Sequence, residues 1–213
     1  MEEKVMKNMK KFAALALAAV MTFSLAACGS GDGESSSNSA SGSESGSESA
    51  KGVKVIDVDL TQEEYAFGVD KNQPELLEQV NTFIAKIKED GTLDEIFDKY
   101  FGSGEPEAVK SAALDTSKDQ LVVATNAAFE PFEYTQGEDY YGIDMEIAAL
   151  LAEELGQELV IQNMDFDAVC LSVGQQQCDI AMAGLTVSED RKEYVTFSDT
   201  YYQASQRLIT TAD

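Results

Sequence analysis

The sequence predicts an α/β lobe of three layers, with helices on both faces of a mainly parallel sheet. Three observations carry this expectation. In the second half of the chain, short apolar runs alternate with helix-length runs, the rhythm of βαβ units. Hydrophobic residues make up 44% of the 213, enough to build a core. Gly91, Gly102 and Gly156 stand where the apolar periodicity breaks, as helix stops do.

Taken in order, residues 53–58 alternate like a strand, and residues 65–69 read as a second one. Pro74 suits the first turn of a helix. Leu76, Leu77, Val80, Phe83, Ile84 and Ile87 follow at spacings that place them on one face, and Gly91 closes the helix. Thr92 starts the next helix, with Glu95 completing a capping box and Ile96, Phe97, Tyr100 and Phe101 as its buried side. Residues 103–119, with Pro106 and scattered charges, read as a linker holding one helical turn. Residues 121–125 form a buried strand. A helix opens at Gly142 and Asp144 and runs through Leu155; residues 158–163 are a strand and 166–174 a short helix. Residues 179–183 give another strand, Ser188 caps a helix through Tyr194, and residues 201–211 form a last long strand.

The N-terminus is an address. Lys4, Lys7, Lys10 and Lys11 precede an apolar stretch, residues 12–25, too short for a comfortable membrane span. It ends in Leu25-Ala26-Ala27-Cys28, a cleavage site with Cys in the lipobox position. Residues 1–28 therefore read as a lipoprotein signal, with Cys28 carrying a diacylglyceryl anchor on the extracytoplasmic face of a bacterial membrane. Residues 29–50, rich in Ser, Gly and Glu, are a flexible tether. A net charge of −24 argues against nucleic acid, whose phosphates need cations. With no His in the chain, Ser-His-Asp, Cys-His and His-metal sites are excluded. No metal or cofactor is expected. Cys170 and Cys178 are either a disulfide or two buried thiols.

Ligands of open α/β sheets sit beyond the carboxyl ends of the strands, and three such ends are informative. The first runs into Asn126-Ala127-Ala128-Phe129-Glu130-Pro131-Phe132; Phe132 reads as core, while Phe129 reads equally as core or as a pocket wall. The second runs into Met164-Asp165-Phe166, a further wall. The third ends at Ala183-Gly184 and continues through Thr186 to Arg191. Gly184 admits close backbone approach, Thr186 offers a hydroxyl, and Arg191 can grip a carboxylate in a fork. Taken alone, Arg191 reads more readily as a solvated side chain paired with Glu189 or Asp190. Together the endings describe a site for a zwitterion, with its carboxylate on Arg191 and the amides of the Ser188 helix, its ammonium on Gly184 and Thr186, and its side chain between aromatic rings.

The runs LVVATNAAFEPFEY (121–134), YYGIDMEIAALLAEELG (140–156), NMDFDAV (163–169) and CDIAMAGLTVSEDRKEYVTFSDTYY (178–202) closely resemble the first lobe of the polar-amino-acid solute-binding proteins of ABC importers. The resemblance implies a type II periplasmic-binding-protein lobe, one of two. It implies that Phe129 and Phe166 sandwich the substrate side chain, that Ala183, Gly184 and Thr186 hold the ammonium, and that Arg191 and Thr186 hold the carboxylate. Asn126 departs from an Asp common in the family, which weakens the case for a cationic substrate. Residues 60–102, with EEYAFGV, ELLEQVN and KEDGTLDEIFDKYFG, resemble the carboxyl-terminal part of the same lobe yet come first, as in a circular permutation. Residues 103–119 then join them to the main part of the lobe, 120–213, and residues 51–59 are an orphan strand of a second lobe expected after Asp213. The implied function is an extracytoplasmic amino-acid-binding lipoprotein, truncated as well as permuted, that is monomeric, binds an amino acid as its small-molecule ligand and serves ABC permease subunits. The alternatives are a dehydratase similar to cyclohexadienyl dehydratase, with Glu130 and Asp165 as candidate acids, a sensor module, or a non-functional fragment.

Overall fold

The computed structural model describes residues 52–211. The signal segment, Cys28 and the tether lie outside the described residues.

Strand β1 (Val53–Ile56) is followed by β2 (Glu63–Tyr65) and β3 (Gly68–Asp70). The single strand expected over 65–69 is thus two. The chain changes sheets at Ala66 and Phe67, both buried, and the Phe67 ring stacks on Tyr201 with centroids 4.4 Å apart. Helix α1 (Pro74–Glu89) begins with its proline in the first turn and buries Val80, Phe83, Ile84 and Ile87, as the spacing predicts; Leu76 and Leu77 are only partly covered. Helix α2 (Thr92–Phe101) departs from expectation at both ends. Its cap is Gly91, at φ 87, and no side chain caps it, so the Thr92–Glu95 capping box does not form. Asp90 instead accepts the Thr92 N–H at 2.9 Å. At the other end Phe97 and Tyr100 are partly buried against the core, but Phe101 is 52% exposed.

Residues 103–119 contain no helical turn. They run as a covering strip over the α3–β8 side of the lobe. Val109 exchanges backbone hydrogen bonds with Tyr140 at 2.7 and 3.1 Å, the Ala112 N–H reaches the Leu159 carbonyl at 2.8 Å, and Ser111 Oγ accepts from the Ile161 N–H at 2.8 Å. The apolar Val109, packed with Met145 and Ile161, decides this course.

Strand β4 (Gln120–Thr125) is followed by a small antiparallel meander absent from the expectation: β5 (Ala128–Phe129), β6 (Glu133–Gln136) and β7 (Asp139–Tyr141). Helix α3 (Ile143–Leu155) ends at Gly156 in the left-handed conformation. Strand β8 (Glu158–Asn163) and helix α4 (Phe166–Gly174) match their expected bounds. Strand β9 is only Ile180–Ala181. The helix expected from Ser188 is absent; its place is taken by a turn and a 3-10 segment at Arg191–Glu193, followed by β10 (Val195–Phe197). The last long strand is broken into β11 (Tyr202–Ala204) and β12 (Leu208–Thr211).

The main sheet has the order β10-β3-β9-β4-β8. Its centre is parallel, β8 and β9 flanking β4, and β3 and β10 extend it antiparallel. Period-two alternation along β4 and β9 explains the layers. Leu121, Val123, Ile180 and Met182 face the core built by α1, α2 and α3, while Ala124, Ala181 and Ala183 face α4 with Val169 and Val173. Cys170 and Cys178 are buried free thiols in that second core. Strand β1 is not an orphan. It pairs antiparallel with β12 in a separate two-stranded ribbon, every residue of which is exposed. Pairing satisfies its backbone groups even where its side chains find no core.

Candidate functional site

Because β8, β4 and β9 are parallel neighbours, the loops that leave their carboxyl ends emerge side by side. The loops are stitched together. The Asn126 Nδ2 donates to the Met164 carbonyl at 2.7 Å, and the Ala127 N–H donates to Asn163 Oδ1 at 2.9 Å. Asn126 therefore braces the β4 and β8 exits with its amide nitrogen and keeps its Oδ1 for another partner.

Arg191 lies on this rim. Its guanidinium carbon is 5.0 Å from the centroid of the Phe166 ring, and one terminal nitrogen donates to the Thr186 carbonyl at 2.7 Å. Among the described residues it pairs with no carboxylate: the expected partner Glu189 is taken by Lys192 at 2.8 Å. A half-buried guanidinium, oriented by a ring and a carbonyl and left without a counter-ion among the described residues, is a ready donor to a carboxylate. The amides of a Ser188 helix, expected to help, are not available because that helix does not form.

Thr186 is held by strand β2, through a bridge to Tyr65 and the Val187 N–H to the Glu64 carbonyl at 2.9 Å. Its hydroxyl donates to Glu63 at 3.2 Å. Glu63 was not among the candidates, since nothing in its local sequence ties it to a residue more than a hundred positions away. It places a carboxylate at the mouth of a cleft of about 520 Å³ beside Thr186.

Phe129 is 45% exposed and stacks on the buried Phe132 with centroids 5.6 Å apart. Its ring is therefore exposed and not core, whereas Phe132 is core. Phe166 is 39% exposed as well. Gly184 sits directly against Phe129. A Cβ at 184 would fall 2.9 Å from Phe129 Cε1, and the backbone there has φ +51, so both space and conformation require glycine. Ala183 is 1% exposed, its methyl group in the α4-side core, so the structure does not present it at the rim. Five of the rim positions thus fall into two groups: Arg191 in contact with both Phe166 and Thr186, and Phe129 over Gly184. Asn126 belongs to the brace between the loops.

Beneath the rim lies a feature the sequence reading missed. Asp144 and Glu133 are both fully buried. Asp144 accepts the Gly184 N–H at 2.8 Å and the Tyr201 hydroxyl at 2.5 Å. Glu133 has no hydrogen-bond partner for either carboxylate oxygen. Burial pushes the acidity constants of both carboxyls upward, Glu133 also through the neighbouring Asp144, while the Gly184 and Tyr201 donors partly offset the shift at Asp144. Asp144 looked like part of a helix start; only the packed lobe turns it inward. Among the described residues, no group of three or more Cys, Asp or Glu side chains could hold a metal ion, and no helix is long and apolar enough to cross a membrane.

The sequence profile of the bacterial extracellular solute-binding proteins, family 3, matches residues 5–103 and 121–213. The chain is 35% identical over 103 residues to the arginine-binding extracellular protein ArtP of Bacillus subtilis, covering 48% of this chain and 40% of that one. It is 33% identical over 91 residues to the cyclohexadienyl dehydratase of Pseudomonas aeruginosa, covering 42% and 34%. Among solved structures, the arginine-bound form of domain 1 from TmArgBP, of T. maritima, shares 32% identity over 46% of this chain and 86% of that one, with a TM-score of 0.39. The chain spans about two fifths of the length of the curated relatives it matches. With nearly all of its length outside residues 104–120 matched, the chain belongs to the bacterial extracellular solute-binding proteins, family 3.

Proposed function

We propose that this protein is an extracytoplasmic amino-acid-binding lipoprotein, anchored through Cys28, that hands its ligand to the permease subunits of an ABC importer. The observation that carries this reading is Arg191: a guanidinium positioned by Phe166 and Thr186 and left without a carboxylate among the described residues, in a chain of net charge −24. In a chain so rich in carboxylates, a cation kept unpaired at a strand-end rim suits an incoming carboxylate. The ammonium falls to the Gly184 carbonyl, the Thr186 hydroxyl and Glu63, and the side chain lies between Phe129 and Phe166. The relatives named for arginine make L-arginine the first ligand to test, and the free Oδ1 of Asn126 and the Glu63 carboxylate are the groups that would meet a cationic side chain.

Residues 60–102 support the permuted order, because β2, β3, α1 and α2 complete the lobe built by residues 120–211. In this lobe the rim is open on its outer side, so the ligand keeps much of its hydration and binding is weak, with Kd near 1 mM, about −4 kcal/mol. Isothermal titration of the 213-residue chain with a panel of L-amino acids tests this. Saturable binding that disappears in Arg191→Met with the fold intact is the expected result. No binding of any amino acid by the wild type would sink the reading, and nanomolar affinity would sink the open-rim account.

A dehydratase is the second reading, favoured by the relative from Pseudomonas aeruginosa. Glu130 and Asp165 are both exposed, in full contact with water, a poor setting for a general acid. Turnover of prephenate by the purified chain would decide for the enzyme.

A further inference from the structure

We propose that Glu133 and Asp144 are positioning residues for the ligand rim: the pair holds one proton, on Glu133, at neutral pH, and keeping Glu133 neutral holds Gly184, and with it Phe129, in place. The ligand consequence rests on the binding reading above; the positioning itself does not.

The geometry is a stack. Phe129 lies over Gly184, whose N–H is held from below by Asp144 at 2.8 Å. Glu133 Oε2 lies 3.6 Å from the position a Cβ would take at Gly184, and Glu133 is the register partner of Phe129 across β5 and β6. Three titratable groups face the Glu133 carboxyl: Asp144 from α3, Tyr201 from the segment before β11, and Tyr65 from β2. None is a cation, and among the described residues neither carboxyl has an ion-pair partner.

Two carboxylates sealed from water with no cation between them cannot both ionise without a large penalty. Asp144 has two donors that favour its charged form, the Gly184 N–H and the Tyr201 hydroxyl. Glu133 has none, so the proton resides chiefly on Glu133. Its loss puts a second negative charge beside Asp144, and repulsion acts on the one acceptor that ties down Gly184. Burial raises both the Tyr201 and Tyr65 phenols above their ordinary value, Tyr201 the more strongly. The sign follows: both folded-state carboxyl values lie above those of the unfolded chain, so the arrangement is complete at low pH and is lost as pH rises.

The test is an amide ¹H–¹⁵N titration of the full chain. The Gly184 resonance is expected to titrate in two steps above the ordinary carboxylate range; Glu133→Gln, which keeps the shape without the charge, removes the upper step and leaves the lower one, the ionisation of Asp144, close to its place. A Gly184 resonance insensitive to pH in the wild type, or titrating identically in Glu133→Gln, overturns the proposal. The wild-type spectrum alone is decisive if the variant does not fold. A second readout is L-arginine affinity, expected to fall more steeply through the upper step in the wild type than in Glu133→Gln, where only the ligand's own α-ammonium titrates. If Gly184 titrates as expected but no amino acid binds, the positioning stands and the binding reading falls.

Discussion

The helix-packed face of the main sheet and the β1–β12 ribbon are built from similar apolar residues and meet opposite fates. On the first, Ile143, Ile147 and Leu151 of α3 lie over Leu121 and Val123 with no exposed surface to speak of. On the ribbon, Val53, Val55, Leu208 and Ile209 are 72%, 50%, 54% and 66% exposed, although every residue of β1 has a register partner. Strand pairing exchanges hydrogen bonds with water for hydrogen bonds within the chain and yields little net stability. Burial of the side chains yields much more, about 25 cal/mol per Å² of apolar surface. The comparison teaches that the three-layer lobe holds the ribbon, and not the reverse.

Four mutations grade that contrast. Leu151→Ala removes a side chain buried at the centre of the α3 face and is expected to lower unfolding stability by about 2–5 kcal/mol, measured by urea denaturation. A loss below 1 kcal/mol would mean that this face is not the main core. Tyr100→Phe is an intermediate case. The hydroxyl donates to Glu146 at 2.7 Å and accepts the Gly142 N–H at 2.9 Å, joining α2 to the start of α3 beside the Lys99–Glu146 ion pair. Its removal leaves a half-buried N–H without a partner and should cost about 1–3 kcal/mol. Ile209→Ser on the ribbon should change stability by less than about 0.5 kcal/mol while reducing aggregation at high concentration. A loss comparable to that of Leu151→Ala would show that the ribbon is covered in solution. Arg207, which bridges to Asp57 and Asp59 on that ribbon, is expected to give no measurable change in midpoint when replaced by Ala, because exposed ion pairs are screened.

The legible part of the molecule follows a simple rule. Elements set by local periodicity and terminal residues were readable: α1 from Pro74 onward, α3 to its stop at Gly156, and β8 and α4 to the residue. The misreadings share a cause in long-range partners. The short β9 and the split of residues 65–69 into two strands depend on which sheet each residue meets. The turn at Ser188 replaces a helix because residues 185–187 are already bonded to β2, which fixes the chain direction before a helix can start. The linker is a strip and not a loop because Val109 finds Met145 and Ile161.

The candidate site divides in the same way. Phe129, Phe166, Gly184, Thr186 and Arg191 were visible as strand-end residues of suitable chemistry. Whether Arg191 would be paired with Glu189 or left free was not, because that choice belongs to a ring and a carbonyl supplied from elsewhere in the fold. Glu63, Glu133 and Asp144 escaped notice for a stronger reason. A carboxylate announces nothing in sequence unless it sits in a recognised spacing, and their meaning comes from partners 123 and 40 positions away.

By itself the sequence determined the class of fold, the positions of the amphipathic helices, the strand ends that could bear a ligand, and the family. Each of these is encoded in residue type and spacing over a few turns of chain. Tertiary structure alone decided that a guanidinium at the rim stays unpaired and that two acids lie sealed beneath Gly184. Charge and hydrogen bonding in a folded protein depend on distance and on the exclusion of water, and both are properties of the packed chain.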